Sequence, residues 1–330
     1  MGVGGLTLGG GISYFSPQVG FTCDTVVNFE IVLASGQLVN ANSTSHADLY
    51  RALKGGMNNF GVVTRFDLAT IEYHGILGGS IANNFTDRAA VFEAFAGVAN
   101  ASAYDVYASI VTGIAFNSTS KAWSVSSTPI YTKPELRPAV YEELFSVPNI
   151  SNTLHITNLS TFANESATPP LNWLFYTATF NVSAELLERI FEVMNSTLYD
   201  FEVDPWIIWD PAFEPLPTSF VTPGAGKNVL GTGPEDGNGM TMLLSALWED
   251  SKANERVHAK AVEVMKAIEG EARKMGLLKE HVYANYADST QKPIQSYGKE
   301  NVEFLKRTAK KYDPHGVFQK KVPGGFKLDD

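Results

Sequence analysis

The chain has 330 residues, 44% of them hydrophobic, enough to bury a sizeable core as one large or two ordinary domains. Its net charge of −10 and isoelectric point near 5.1 argue against a nucleic-acid partner, whose phosphates such a surface would repel. Cys23 is the only cysteine, so an internal disulfide and a multi-cysteine metal site are excluded, and the thiol is expected to be a buried small hydrophobe. In chain order the first feature is Gly2-Val3-Gly4-Gly5-Leu6-Thr7-Leu8-Gly9-Gly10-Gly11, six glycines in ten residues. Such a run predicts a loop pressed against a ligand or another chain segment, the alternative being a flexible terminal tail. Thr7 stands where the last glycine of G-x-G-x-x-G would be, and no G-x-x-x-x-G-K-[ST] is present, so the two commonest nucleotide motifs are ruled out there.

Val26 to Leu33 predicts a strand, turned at Ser35-Gly36 into Gln37-Leu38-Val39 as a hairpin. Ser45 with Asp48 predicts a capping box for a helix through Leu49 and Leu53, stopped by Gly55-Gly56. Gly61-Val62-Val63-Thr64-Arg65-Phe66 predicts a buried strand. From about Tyr73 the texture changes. Thr86 predicts the cap of a helix burying Val91, Phe92, Phe95 and Val98, followed by strands Tyr104 to Phe116 and Lys121 to Tyr131 and a proline-opened helix from Pro134 to Phe145. Trp173 to Phe180 predicts a strand and Ser183 the cap of a helix carrying Leu186, Leu187, Ile190 and Val193. The six prolines and five glycines of Phe201 to Asn238 predict a long loop at the mouth of a site. Met240 to Trp248 follows as a strand, then helices Asn254 to Met275 and Lys299 to Lys311. These elements predict an α+β fold, with a large antiparallel sheet flanked by helices.

At Val282-Tyr283-Ala284-Asn285-Tyr286 a strand would point Tyr283 and Asn285 to one face and Tyr286 to the other. A phenol beside an amide can hold a hydroxylated substrate, and the alternative is an aromatic strand with satisfied hydroxyls. His258 in a charged helix and His315 in a tight turn are expected to be solvated.

Several segments, taken together, resemble the FAD-linked oxidases of the berberine-bridge-enzyme-like family, in the vanillyl-alcohol-oxidase superfamily. They are the glycine run, Gly20 to Asp24, Val32 to Gly36, Asp48 to Gly56, Asn58 to Phe66, Tyr283 to Ala287, Ser296-Tyr297-Gly298 and Lys311 to Phe318. The likeness is strongest from Met1 to about Ile71 and from Glu280 to Leu328. It implies a truncated FAD-binding subdomain over residues 1–72, a substrate domain over 73–276 and a segment over 277–330 that returns to the FAD-binding part. By the same resemblance Gly2, Val3, Gly4, Gly5, Gly9, Gly10, Gly11, Gly61, Val62 and Val63 face FAD, Tyr283 is the catalytic base and Asn285 its positioning partner. A phenol with its ordinary pKa near ten is a poor base at neutral pH, so the site needs a cation or the oxidised flavin; Lys292 and Arg65 are the cations considered. The family's pyrophosphate-wrapping loop and its flavin-bonding histidine and cysteine have no counterpart in this sequence, so FAD, if bound, is expected to be non-covalent.

The implied reaction oxidises an alcohol or C–H group of a small secondary metabolite, with dioxygen as acceptor. A cofactor-free cyclase or isomerase and an inactive truncated remnant remain as alternatives. No 18-residue apolar run and no charged-then-apolar leader is found, which predicts no membrane span and no export. Nine N-x-[ST] sequons stand against that, at Asn42, Asn84, Asn100, Asn117, Asn149, Asn158, Asn164, Asn181 and Asn195. Chance would give roughly three, and the excess suggests a secreted ancestry, with export since lost or the gene model starting too late, the alternative being accidental composition.

Overall fold

Alternating apolar and polar residues from Ala108 to Tyr131 form an antiparallel pair in register from Ala108 opposite Tyr131 to Asn117 opposite Ala122. The computed structural model describes residues 2–165 and 170–329. Contacts divide the chain into two units, Met1–Glu72 with Thr218–Gly237 and Glu280–Asp330, and Tyr73–Pro217 with Asn238–Lys279.

In the first unit β1 (Val26–Val32) lies between β2 (Leu38–Asn42) and β3 (Val62–Leu68). The β1–β2 hairpin closes at Gly36, whose φ of 81° suits glycine. The proposed capping box is not made: the helix Ala47–Leu53 is preceded by His46 at φ 50° with no side-chain cap. Asp48 instead accepts from the Lys311 ammonium at 2.6 Å and the Tyr312 hydroxyl at 2.7 Å, which ties in the helix Lys299–Tyr312. β3 is not the buried strand expected, since Val62 is exposed. Gly61 just before it is packed so closely that a Cβ would fall 2.6 Å from the Ile31 side chain.

The second unit is a ten-stranded antiparallel sheet. Its strands are β4 (Ile76–Gly78), β5 (Ile81–Asn83), β6 (Ala108–Asn117), β7 (Ala122–Tyr131), β8 (Asn149–Asn152), β9 (His155–Thr157), β10 (Asn172–Asn181), β11 (Ile207–Leu216), β12 (Gly239–Trp248) and β13 (Leu278–Lys279). The order is β13-β10-β12-β11-β6-β7-β4-β9, with β5 joining β7 to β8. One face, carrying Ile110, Ile114, Trp209, Phe213, Met242 and Phe180, forms a continuous core with the helices Arg88–Ala99, Ala184–Leu198 and Asn254–Lys274. Ser183 caps the second of these, accepting from the Leu186 N–H at 3.2 Å.

Three expectations change here. The region Phe201 to Asn238 is not one loop, because it contains β11, whose pairing with β12 runs unbroken from Ile207 to Leu216. Pro211 and Pro215 are tolerated because they are four residues apart and present their missing N–H to the same neighbour. The pairing with β6 accordingly occurs at Ile208, Trp209, Ala212 and Phe213 and skips both prolines. The remainder, Thr218–Gly237, packs in the first unit, where Asn228 donates to Asp24 Oδ1 at 2.9 Å and Val229 N–H donates to Lys54 O at 3.1 Å. The helix expected from Pro134 is reduced to a 3-10 turn, Ala139–Tyr141, and a short helix, Glu142–Ser146; Pro138, with no N–H to give, sits just before them. Likewise Thr86 does not cap its helix, which begins after a 3-10 turn Phe85–Asp87.

Candidate active site

The glycine run is not a loop throughout. Val3–Leu8 is a helix, supported by a bond from the Thr7 hydroxyl to Val3 O at 2.8 Å. Gly2, Val3 and Gly5 are exposed, Gly4 is half-buried beside the Phe66 ring, and Gly9, Gly10 and Gly11 are buried. The carbonyls of Gly10 and Gly11 accept from Cys23 N–H at 2.8 Å and Thr22 N–H at 2.7 Å. The second half of the run is therefore taken up by the chain's own backbone.

Tyr283 and Asn285 meet this run. The segment is a turn, not a strand, closed by Tyr286 N–H to Tyr283 O at 3.0 Å. The Tyr283 side chain is buried, and its phenol oxygen accepts from Ile12 N–H at 2.8 Å and from Asn285 Nδ2 at 3.0 Å. Asn285 Nδ2 also donates to Leu6 O at 3.0 Å, which fixes the amide against the helix Val3–Leu8. Gly9 is required for this contact, because a Cβ there would fall 2.3 Å from Asn285 Oδ1. The turn brings Tyr286 onto the same ring, edge to face with Tyr283 at 4.8 Å, where a strand would have sent it away. The cations considered for Tyr283 are elsewhere engaged or exposed: Arg65 pairs with Asp67 at 2.9 Å and Glu30 at 3.4 Å, and Lys292 is exposed. Val62 and Val63 open β3 on the three-stranded sheet, and Gly61 just precedes it.

Behind the turn, His281 is buried and stacked on Tyr297 at 6.4 Å between centroids. Burial pulls its pKa down to about 4, partly offset by a bond with the Leu230 backbone, so the imidazole stays neutral at ordinary pH. Its Nδ1 has no hydrogen-bond partner among the described residues. Burial pushes the Cys23 thiol well up, which leaves it inert.

The second unit holds, by itself, a carboxyl that the sequence reading did not single out. On the sheet face away from the core, Asp210 lies in register with Ser245, and Glu214 with Thr241. Across β10 the same face continues with Trp173, Phe175, Thr177 and Thr179, the two aromatic rings edge to face at 6.2 Å. Burial pushes the Asp210 carboxyl up to about 6. A carboxyl poised there exchanges protons near neutral pH. Its signal was the alternation of Ile207, Trp209 and Phe213 with Asp210 and Glu214, obscured by Pro211 and Pro215.

Among the described residues no group of three or more His, Cys, Asp or Glu is placed to hold a metal ion, and no helix is long and apolar enough to cross a membrane. The residues present fit part of a flavin cofactor. The backbone of Gly2–Gly5, exposed except at Gly4, and the Tyr283–Asn285 pair are what would hold it.

No family model matches the chain. The chain is 33% identical over 336 residues to FAD-dependent monooxygenase elcE of Phaeosphaeria nodorum, covering 97% of this chain and 98% of that protein. It is 33% identical over 342 residues to FAD-dependent monooxygenase drtC of Aspergillus calidoustus, covering 99% of this chain and 64% of the relative. It is 36% identical over 338 residues to a protein named oligopeptidase PhomG' of Diaporthe leptostromiformis, covering all of this chain and 28% of that one. The chain thus spans less than two thirds of these last two relatives. In fold it is similar to the solved structure of Physcomitrella patens BBE-like 1, with a TM-score of 0.76 at 16% identity, covering 99% of this chain and 71% of that one.

Proposed function

This chain belongs to the family of its FAD-dependent monooxygenase relatives and has the fold of a BBE-like protein, and on that premise we propose that it oxidises an alcohol or C–H group of a small secondary metabolite, with dioxygen as the acceptor. The observation that carries the reading is the pair of N–H donors, from Ile12 and Asn285, on the buried phenol oxygen of Tyr283. When bound, FAD supplies the hydride acceptor. Tyr283 receives the substrate's proton at its phenol oxygen. The two N–H groups stabilise negative charge on that oxygen, taking the part that the sequence reading gave to a cation. Asn285, fixed by Leu6 O, keeps the phenol in one orientation.

FAD is held without a covalent bond in this reading. The test is the visible spectrum of the purified 330-residue chain after incubation with FAD, before and after acid precipitation. The expected result is a flavin spectrum whose chromophore moves to the supernatant, with peroxide formed on turnover of small alcohols. Chromophore left in the pellet refutes the non-covalent part, and no retained flavin refutes the oxidase reading for this chain.

A further inference from the structure

Eight of the nine sequons, all but Asn42, fall between Asn84 and Asn195, within the second unit. The fold separates them by exposure, although Asn158 Oδ1, like that of Asn117, accepts within its own turn, from Thr161 N–H at 2.9 Å and the Ser160 hydroxyl at 2.6 Å. Asn84, Asn100, Asn149 and Asn158 are exposed, and so are the hydroxyl residues two positions on, Thr86, Ser102, Ser151 and Ser160. Four others are half-buried. Asn42 Nδ2 donates to Asn28 Oδ1 at 3.1 Å, and Asn117 Oδ1 caps a turn by accepting from Thr119 and Ser120 N–H at 2.9 and 3.1 Å. Asn195, inside a helix, accepts from the Trp123 indole at 2.9 Å. Asn181 sits in β10, and the hydroxyl of its sequon, Ser183, is committed to the helix cap. The ninth sequon, at Asn164, ends at Ser166, outside the described residues.

Two exposed sequons occupy one edge of the sheet. Among the described residues β9 ends the strand order, and β8 pairs with β5 alone. Asn149 is the first residue of β8, and Asn158 directly follows β9. All four residues of β8 are exposed, Ile150 at 66%, and Ile156 in β9 is 39% exposed. An apolar strand edge of this kind invites pairing with another chain unless something blocks it. We infer that Asn84, Asn100, Asn149 and Asn158 carry N-linked glycans, and that those on Asn149 and Asn158 shield the free edges of the second unit. In each case the asparagine Nδ2 forms a C–N bond to C1 of an N-acetylglucosamine at the reducing end of a lipid-pyrophosphate-linked oligosaccharide. The C1–O bond to the pyrophosphate breaks, the pyrophosphate lipid leaves with the electron pair, and Nδ2 releases one proton; no oxidation state changes. The chain accordingly passes through the secretory pathway.

The experiment treats the protein, purified from the organism that makes it, with peptide N-glycosidase in heavy-oxygen water and maps the resulting aspartates by peptide mass spectrometry. Label on the four named asparagines, with Asn117 and Asn195 unlabelled, is the expected result. Absence of label from Asn149 or Asn158 overturns the proposal, and label on Asn117 or Asn195 overturns the selection by fold. A second measurement uses the Asn149→Gln, Asn158→Gln double variant from the same host. It is expected to associate with rising concentration in light scattering while keeping the wild-type melting temperature. A double variant that stays as monodisperse as the wild type overturns the shielding role.

Discussion

The corner around Tyr283 and the ten-stranded sheet are built from opposite kinds of sequence. The sheet comes from long stretches whose period is visible locally, as in β6 and β7, and its polar face places a carboxyl where burial makes it easier to protonate. The tyrosine corner comes from short pieces hundreds of residues apart, joined by backbone groups of Leu6 and Ile12, with Gly9 leaving room for Asn285. In the sheet, side-chain chemistry rests on a regular frame; in the corner the backbone itself provides the chemistry. Substitutions should therefore act differently in the two places.

The largest effect is expected at the corner. Tyr283→Phe should lower turnover by about 10²–10⁴-fold, measured as flavin reduction in single turnover, because it removes the proton acceptor. It should also cost about 1–3 kcal/mol in urea unfolding, since the N–H groups of Ile12 and Asn285 lose their acceptor. Turnover within threefold of wild type would remove Tyr283 from the chemistry and the corner from the comparison.

Next comes a pair of opposite pH slopes. Asp210 is raised to about 6 by burial, so the folded state holds its proton more tightly than the unfolded chain. Its ionisation costs nothing below about pH 4 and about 3 kcal/mol above pH 6, so stability falls as pH rises through that window. His281 is lowered to about 4, so the folded state resists its protonation, and stability is lost as pH falls from about 6.5 to about 4, again by about 3 kcal/mol. In the wild type the two slopes oppose each other. Asp210→Asn should leave a protein that weakens toward acid, and His281→Gln one that strengthens toward acid, when urea midpoints are compared from pH 4 to 7. Slopes unchanged from wild type would rule out burial as the cause of either shift.

The sequence showed most of the sheet and its helices because apolar periodicity is a local property: β6, β7, β10, β12 and the Ser183 cap all form close to their expected positions. Where a residue type sends a strong local signal, tertiary context overruled it. Pro211 and Pro215 suggested a loop, yet their spacing suits a strand that needs a full ladder on one side only. Six glycines suggested a loop, yet apolar Val3, Leu6 and Leu8 with a bonded Thr7 make a helix of the first part. Tyr283 and Asn285 were legible as a pair, but their turn was not, since its supports lie about 270 residues away, as the bonds from Ile12 and to Leu6 show. Asp210 was missed because Pro211 and Pro215 hid the alternation that carries it, and His281 because burial, which gives it its character, has no signature in a single sequence.

Gly9→Ala probes the corner with less chemistry. The new Cβ would collide with Asn285 Oδ1, and the variant should lose about 1–3 kcal/mol of stability together with part of its turnover, while Asp210→Asn keeps the sheet's packing. Equal stability in Gly9→Ala would mean that Asn285 moves freely and holds nothing. The smallest effect belongs to the sheet unit: Ser183→Ala should lower the urea midpoint by an amount worth about 1 kcal/mol, with flavin kinetics unchanged.

The chain crosses between its two units four times, after Glu72, Pro217, Gly237 and Lys279. Synthesis on the ribosome runs in that order, so a nascent chain that has reached Lys279 already contains the whole second unit but lacks Tyr283, Asn285 and the last helices of the first. Domains generally fold as units while the chain emerges, so Ile12 N–H and Leu6 O wait for Tyr283 and Asn285 until the final segment arrives. Assembly of the tyrosine corner thereby follows synthesis of the whole second unit, and a chain cut short between Lys279 and Tyr283 carries the complete sheet without that corner.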